Sequence, residues 1–190
     1  MNGKILVTGG TVRLGLAISS QLRERGFEVF TTSHRPDSGA DFILDFRHEL
    51  PSSSFDAIVN NAALFRGSDK DLMRVNFLAP KRIIEARLAP VVVNIIDSRV
   101  MSPGFTPRNA YEKSKALLLA ETLAPHGAVR VNGVAPGPVI APVAIREKAG
   151  LLPFGRPAPE AVARAVAFLI EEPSISGSVL AVDGGNHLSR

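Results

Sequence analysis

The chain has 190 residues, a formal net charge of +4, 45% hydrophobic and 21% charged residues, and neither cysteine nor tryptophan. That length supports one domain over 1–190 with a real core, and the composition excludes a disordered chain, disulfides and thiol chemistry. His34, His48, His126 and His187 show no metal-ligand spacing, the basic residues are dispersed rather than clustered, and no apolar run reaches 18 residues, so no metal, nucleic acid or membrane partner is expected.

The N-terminus leads directly into Lys4 to Val7, a short buried strand, with no signal peptide expected and hence a cytoplasmic setting. Thr8-Gly9-Gly10-Thr11-Val12-Arg13-Leu14-Gly15 follows, and then an amphipathic helix to about residue 25. A strand, a glycine-bearing turn and a helix place backbone N–H groups where a pyrophosphate binds well. The second strand spans Glu28 to Ser33 and closes in Ser33-His34-Arg35. In a dinucleotide fold the end of this strand meets the adenosine ribose, where an acidic residue would bond the 2′-hydroxyl. None stands at that point. Arg35, with Arg13 in the glycine loop, suits a 2′-phosphate, so NADPH is expected in preference to NADH.

Residues 41–46 read as a third strand with Asp45 at its end, and only residues 47–55 separate it from a fourth strand at Ala57 to Asn60. Parallel strands ordinarily need about a dozen connecting residues, so this crossover is truncated. The fourth strand runs into Asn60-Asn61-Ala62-Ala63, small and amide residues that let a ligand approach the backbone. Residues 69–87 have helical spacing and contain Asn76. Residues 91–96 form a β-branched run ending in Asp97-Ser98, as expected of a central strand.

A loop containing Pro103, Gly104 and Pro107 leads to Tyr111-Glu112-Lys113-Ser114-Lys115 and an apolar helix. Tyr111 and Lys115 are four apart and share one helix face. A fixed ammonium beside a phenol favours phenolate, which makes Tyr111 a candidate general acid or base. A sixth strand over residues 130–134 is followed by Pro136-Gly137-Pro138-Val139 and a proline-rich stretch to Pro159, read as a substrate lid with one short helix at 143–149. A helix at 159–170 and a last strand at 178–182 complete an alternation that predicts a Rossmann-like, doubly wound parallel sheet of about seven strands in a three-layer α/β/α arrangement.

These residues resemble the short-chain dehydrogenases/reductases. The likeness is carried by Thr8-Gly9 with Arg13-Leu14-Gly15, by Asn60-Asn61-Ala62-Ala63, by Asn76 in Val-Asn-x-x-Ala-Pro, by Ser98 thirteen positions before Tyr111, by Pro136-Gly137, and by Gly177 to Gly185. The resemblance implies that Tyr111 donates a proton, Lys115 lowers its pKa and holds the nicotinamide ribose, Ser98 orients substrate, and Asn76 supports a proton relay. It implies that Asp45 and Phe46 flank the adenine, that Asn60, Ala62 and Ala63 line the adenosine ribose, and that Val139 meets the carboxamide. Arg13 stands where the family has its middle glycine. With His34-Arg35 this looks like the pteridine and dihydromonapterin reductases, which carry a catalytic Asp where most relatives carry Ser. Asp97 beside Ser98 adds to that likeness; the thirteen-residue spacing selects Ser98, and the choice between Asp97 and Ser98 as the partner of Tyr111 stays open at this point. Ala141 stands in place of the family's usual Thr, and the chain is short for the family. A homodimer or homotetramer packed through the Asn76 and Tyr111 helices is implied. The resulting expectation is an NADPH-dependent reductase of a carbonyl or a pterin-like C=N bond. A 3-oxoacyl or simple ketone reductase is the rival, and a non-catalytic NADP(H) sensor a further alternative. Phe27, Phe30, Phe42, Phe55 and Phe168 are expected in the core, and His126 and His187 on the surface.

Overall fold

The computed structural model describes residues 3–139 and 153–188. Seven strands, all parallel, form one sheet: β1 (Lys4–Val7), β2 (Glu28–Ser33), β3 (Phe42–Ile43), β4 (Ala57–Asn60), β5 (Val91–Ile95), β6 (Arg130–Pro136) and β7 (Val179–Val182). Their order is β3-β2-β1-β4-β5-β6-β7. The order reverses beside β1, so the carboxyl ends of β1 and β4 open a ligand crevice at that point. The helices are α1 (Arg13–Glu24), α2 (Asp69–Met73), α3 (Ala79–Glu85), α4 (Ala110–Leu123) and α5 (Pro159–Glu171). Among the described residues no helix is long and apolar enough to cross a membrane.

The two-residue period of the strands decides which layer each side chain meets. Ile5, Val7, Val59, Val93 and Ile95 pack under α1 and α5 through Ile18, Leu22, Val162, Val166 and Leu169. Leu6 and Ile58 point the other way, onto Val75, Ala79 and Ile83. Full burial of each such side chain contributes about 1.5–3 kcal/mol.

Three features depart from the pattern read from sequence. Strand β3 has two residues rather than six, and Phe42 and Ile43 on it are exposed. It lies at the sheet edge, where Asp41 already takes the Thr31 N–H and hydroxyl at 2.7 and 2.8 Å. The connection from β2 to β3 is also cut down, to one 3₁₀ turn at Pro36–Ser38. In place of crossover helices the segment before β4 buries Phe46 and Phe55, and Phe55 lies 5.9 Å from Phe30 and 6.4 Å from Phe42. Lastly, the helix read over 69–87 carries a π turn at Arg74–Leu78 between α2 and α3. Phe42 and Phe168, read as core, are 36% and 46% exposed. The helix expected at 143–149, Ala141 and most of the proposed lid lie outside the described residues.

Candidate active site

The loop after β1 is shaped by close approach of backbone to backbone. Gly9 has φ +63, and a Cβ on Gly15 would stand 2.0 Å from the Gly9 carbonyl oxygen. Arg13 has φ 52, a left-handed conformation that glycine adopts without penalty and arginine rarely does. The loop is braced from β4. Asn61 Nδ2 donates to the Thr8 and Gly9 carbonyls at 2.9 and 3.1 Å, and Thr8 Oγ1 accepts the N–H groups of Asn61 and Ala62 at 2.9 Å each. Asn61 was absent from the residues singled out by sequence, although the repeated amide in Asn60-Asn61 was the available signal. The twelve-residue helix α1 has no side-chain cap at Val12 and no acid in its first turn. Its leading N–H groups and the glycine cradle therefore fit a pyrophosphate.

At the end of β2, Ser33 Oγ accepts the Arg35 N–H at 3.1 Å, and His34 and Arg35 are exposed. Neither Arg13 nor Arg35 forms an ion pair with a described residue. Thr8, Phe46, Asn60 and Ala62 line one narrow crevice. Asp45 sits beside it with its carboxylate held by the Arg47 fork, which brings its pKa down to about 2. The Asn60 side chain turns inward: Nδ2 donates to Asn94 Oδ1 at 2.8 Å, and Asn94 donates to Thr122 at 2.9 Å. Ala63 follows at half-burial, Pro136 ends β6, and the Gly137 N–H donates to Val182 O at 3.0 Å. Val139 is buried among the residues under α1 and α5.

The chemical end lies at the carboxyl ends of β4 and β5. Asn109 caps α4 by accepting the Glu112 N–H at 2.9 Å, which sets Tyr111 in the first turn. Tyr111 Oη donates to Asp97 Oδ2 at 3.1 Å. This is the residue that the spacing had set aside. Asp97 caps the 3₁₀ turn Ser98–Met101 through the Arg99 N–H, which turns Ser98 the other way. The Ser98 hydroxyl is fully buried with no well-formed hydrogen bond, near the Asp183 carboxylate that also accepts from His187 Nδ1 at 2.9 Å. His187, expected on the surface, is tied in by this contact.

Asn76, projected inward by the π turn, accepts the Leu64 N–H at 2.7 Å and donates to Leu64 O and Ser114 Oγ at 2.8 and 3.2 Å. Lys115 Nζ donates to Ile95 O at 2.8 Å, pinning α4 to β5. Burial pushes the Lys115 amine down to about 8. Burial, and then the Asp97 charge, push the Tyr111 phenol above its ordinary range, while Arg99 pulls it back. The cation that most opposes this rise is Arg99. Burial alone would raise the Asp97 carboxyl, but the Arg99 bonds and charge bring it below its ordinary value. Tyr111 faces a cleft of about 500 Å³ with Phe65, Arg66 and Arg99 on its walls. Phe65 is 67% exposed and stacks on Tyr111 with centroids 5.2 Å apart. Phe65 and Arg99 were not foreseen, since nothing in their local spacing marks them.

A parallel sheet with flanking helices, a glycine cradle at its switch point and a tyrosine–carboxylate pair beyond it defines a dinucleotide-binding oxidoreductase fold. No family model matches the chain. It is 41% identical over 241 aligned residues to the granaticin polyketide synthase putative ketoacyl reductase 2 of Streptomyces violaceoruber, covering 96% of this chain and 95% of that protein. It is 30% identical to the 3-oxoacyl-[acyl-carrier-protein] reductase FabG of Haemophilus influenzae, with full coverage of both. Among solved structures, the FolM alternative dihydrofolate reductase 1 of Brucella canis complexed with NADP superposes with TM-score 0.84 at 28% identity, covering 100% of this chain and 96% of that one. The chain belongs to the short-chain dehydrogenase/reductase family. With 190 residues against 241 aligned positions, it is a shortened member, as the missing crossover helices show.

Proposed function

We propose that this protein is an NADPH-dependent reductase that delivers a proton from Tyr111 to a pterin-like C=N bond. The observation that carries the reading is the 3.1 Å contact between Tyr111 Oη and Asp97 Oδ2 at the cleft. A carbonyl becomes an oxyanion as it is reduced, and a carboxylate nearby opposes that charge. A C=N bond is reduced most readily when its nitrogen carries a proton, and a carboxylate favours that cation. Asp97 in this position therefore supports the C=N reading over the ketone one. The glycine cradle, the helix α1 N-terminus and the Arg13 and Arg35 guanidiniums would hold the dinucleotide. When bound, the dihydronicotinamide supplies the hydride. Phe65 offers a flat face for a planar substrate, Asn76 fixes the start of the cleft loop, and Lys115 locks the Tyr111 helix to the sheet. A cytoplasmic setting and a homodimer or homotetramer remain part of this proposal.

The test is NADPH oxidation against a panel of dihydropterin, dihydrofolate and simple ketones, with NADH in parallel. The reading expects NADPH preference and pterin-dependent oxidation. It also expects Asp97→Asn to lose more activity on the pterin than on any ketone. The named ketoacyl reductases among the relatives support a second reading, reduction of a 3-oxoacyl group. Ketone turnover that survives Asp97→Asn, with no pterin turnover, would establish that alternative.

A further inference from the structure

We propose that Arg99 is a positioning residue that fixes the Asp97 carboxylate against the Tyr111 hydroxyl and keeps it an anion. The proposal rests on the reading of Tyr111 as proton donor. Among the described residues Asp97 takes one hydrogen bond from Tyr111 and the rest from Arg99. Oδ1 accepts the Arg99 backbone N–H at 3.0 Å and Nε at 3.1 Å, and Oδ2 accepts Nη2 at 2.8 Å beside Tyr111 Oη. A fork on both oxygens leaves the carboxylate no freedom to rotate. The lone pair aimed at Tyr111 is therefore set by Arg99.

The guanidinium is itself held from α4. Its carbon lies 5.9 Å from the Tyr111 ring centroid, and Nη1 lies 3.9 Å from Glu112 Oε1. Glu112 has a side chain only 4% exposed and also binds the Arg108 N–H and guanidinium at 2.8 and 3.1 Å. The groups acting on Asp97 are thus Arg99 from the loop and Tyr111 and Lys115 from α4. Those facing Arg99 are Asp97, Tyr111 and Glu112. A buried carboxyl without Arg99 would be pushed toward its neutral form, which neither accepts from Tyr111 as strongly nor stabilises a cationic substrate.

The sequence provides a direct probe. Tyr111 is the sole tyrosine and there is no tryptophan, so protein emission comes from one phenol. A carboxylate that accepts from a phenol quenches it, so acid titration of the emission of the intact protein reads Asp97. Wild type is expected to change only below the ordinary carboxylate range. In Arg99→Gln the midpoint moves up, and in Asp97→Asn the transition disappears. Arg99→Lys keeps the charge without the fork. Its midpoint stays near wild type, while kcat for NADPH-driven dihydropterin reduction falls roughly ten- to a hundredfold with NADPH affinity unchanged. In the Asp97→Asn background, adding Arg99→Gln produces little further loss. An unmoved midpoint in folded Arg99→Gln, or additive losses in the double variant, overturns the proposal. If Arg99→Gln fails to fold, a wild-type kcat in Arg99→Lys overturns it instead. Should the wild type turn over nothing in the panel, the functional reading fails, and the emission midpoints still decide the role of Arg99.

Discussion

The two halves of the cleft are built by different forces. The glycine-loop half is steric: Gly15 is pressed against Gly9, Asn61 brackets the loop, and Arg13 bends through a left-handed conformation. The Tyr111 half is electrostatic, with Asp97, Glu112 and Lys115 largely withdrawn from water and a partly exposed Arg99 around one phenol. The first half is shaped to meet a phosphate chiefly with neutral backbone. The second can be retuned by a single charge. Binding and chemistry should therefore be separable by mutation.

The sharpest way to test that separation is Tyr111→Phe. Loss of a positioned general acid is expected to reduce kcat by about 10²- to 10⁴-fold. NADPH affinity, followed by nicotinamide fluorescence, should be nearly unchanged. A large loss of affinity would break the comparison. Gly15→Ala should do the reverse. Its Cβ would fall 2.0 Å from the Gly9 oxygen, which the loop can relieve only by moving. Overpacking of this kind costs typically about 1–3 kcal/mol of stability, read as a lower denaturation midpoint, with NADPH affinity lost alongside it. Arg13→Gly relieves a left-handed arginine worth on the order of 1 kcal/mol. The variant should be more thermostable and should discriminate less between NADPH and NADH in parallel titrations.

A further effect concerns pH. Lys115 sits at about 8 in the folded chain, below the ~10.4 of an unfolded lysine. Between those values the unfolded chain binds the extra proton, so this group makes stability rise with pH across that window. Denaturant unfolding at intervals through it should show a rising contribution in wild type that is flattened in Lys115→Met. No such difference would mean that the amine is better hydrated than its burial indicates.

The two halves were also unequally legible. Strand ends, the glycine loop and the Tyr111–Lys115 pair are written in short-range spacing, and the β1, β2 and β4 boundaries follow from apolar runs and turn residues. The Asp97 contact is not written locally. Counting thirteen back from Tyr111 reaches Ser98, whereas the residue in contact is fourteen away, because Asp97 caps its own turn and swings Ser98 toward Asp183. Which of two adjacent side chains faces a helix depends on how the intervening loop closes. Arg99 and Glu112 escaped for the same reason: their ion pairs exist only once that loop is folded on α4.

The π turn at Arg74–Leu78 has a consequence for insertions and deletions. An α-helix advances about 100° per residue, so removing one residue there would regularise the helix and rotate everything after it by that angle. Pro80, Ile83 and Ile84, now buried, would swing away from the sheet, while Asn76 would lose its aim at Leu64 and Ser114. The extra residue thus keeps two rotational phases in step along one rod: the phase that seats the helix on the core, and the phase that points an amide at the cleft. Length at this point is as constrained as chemistry.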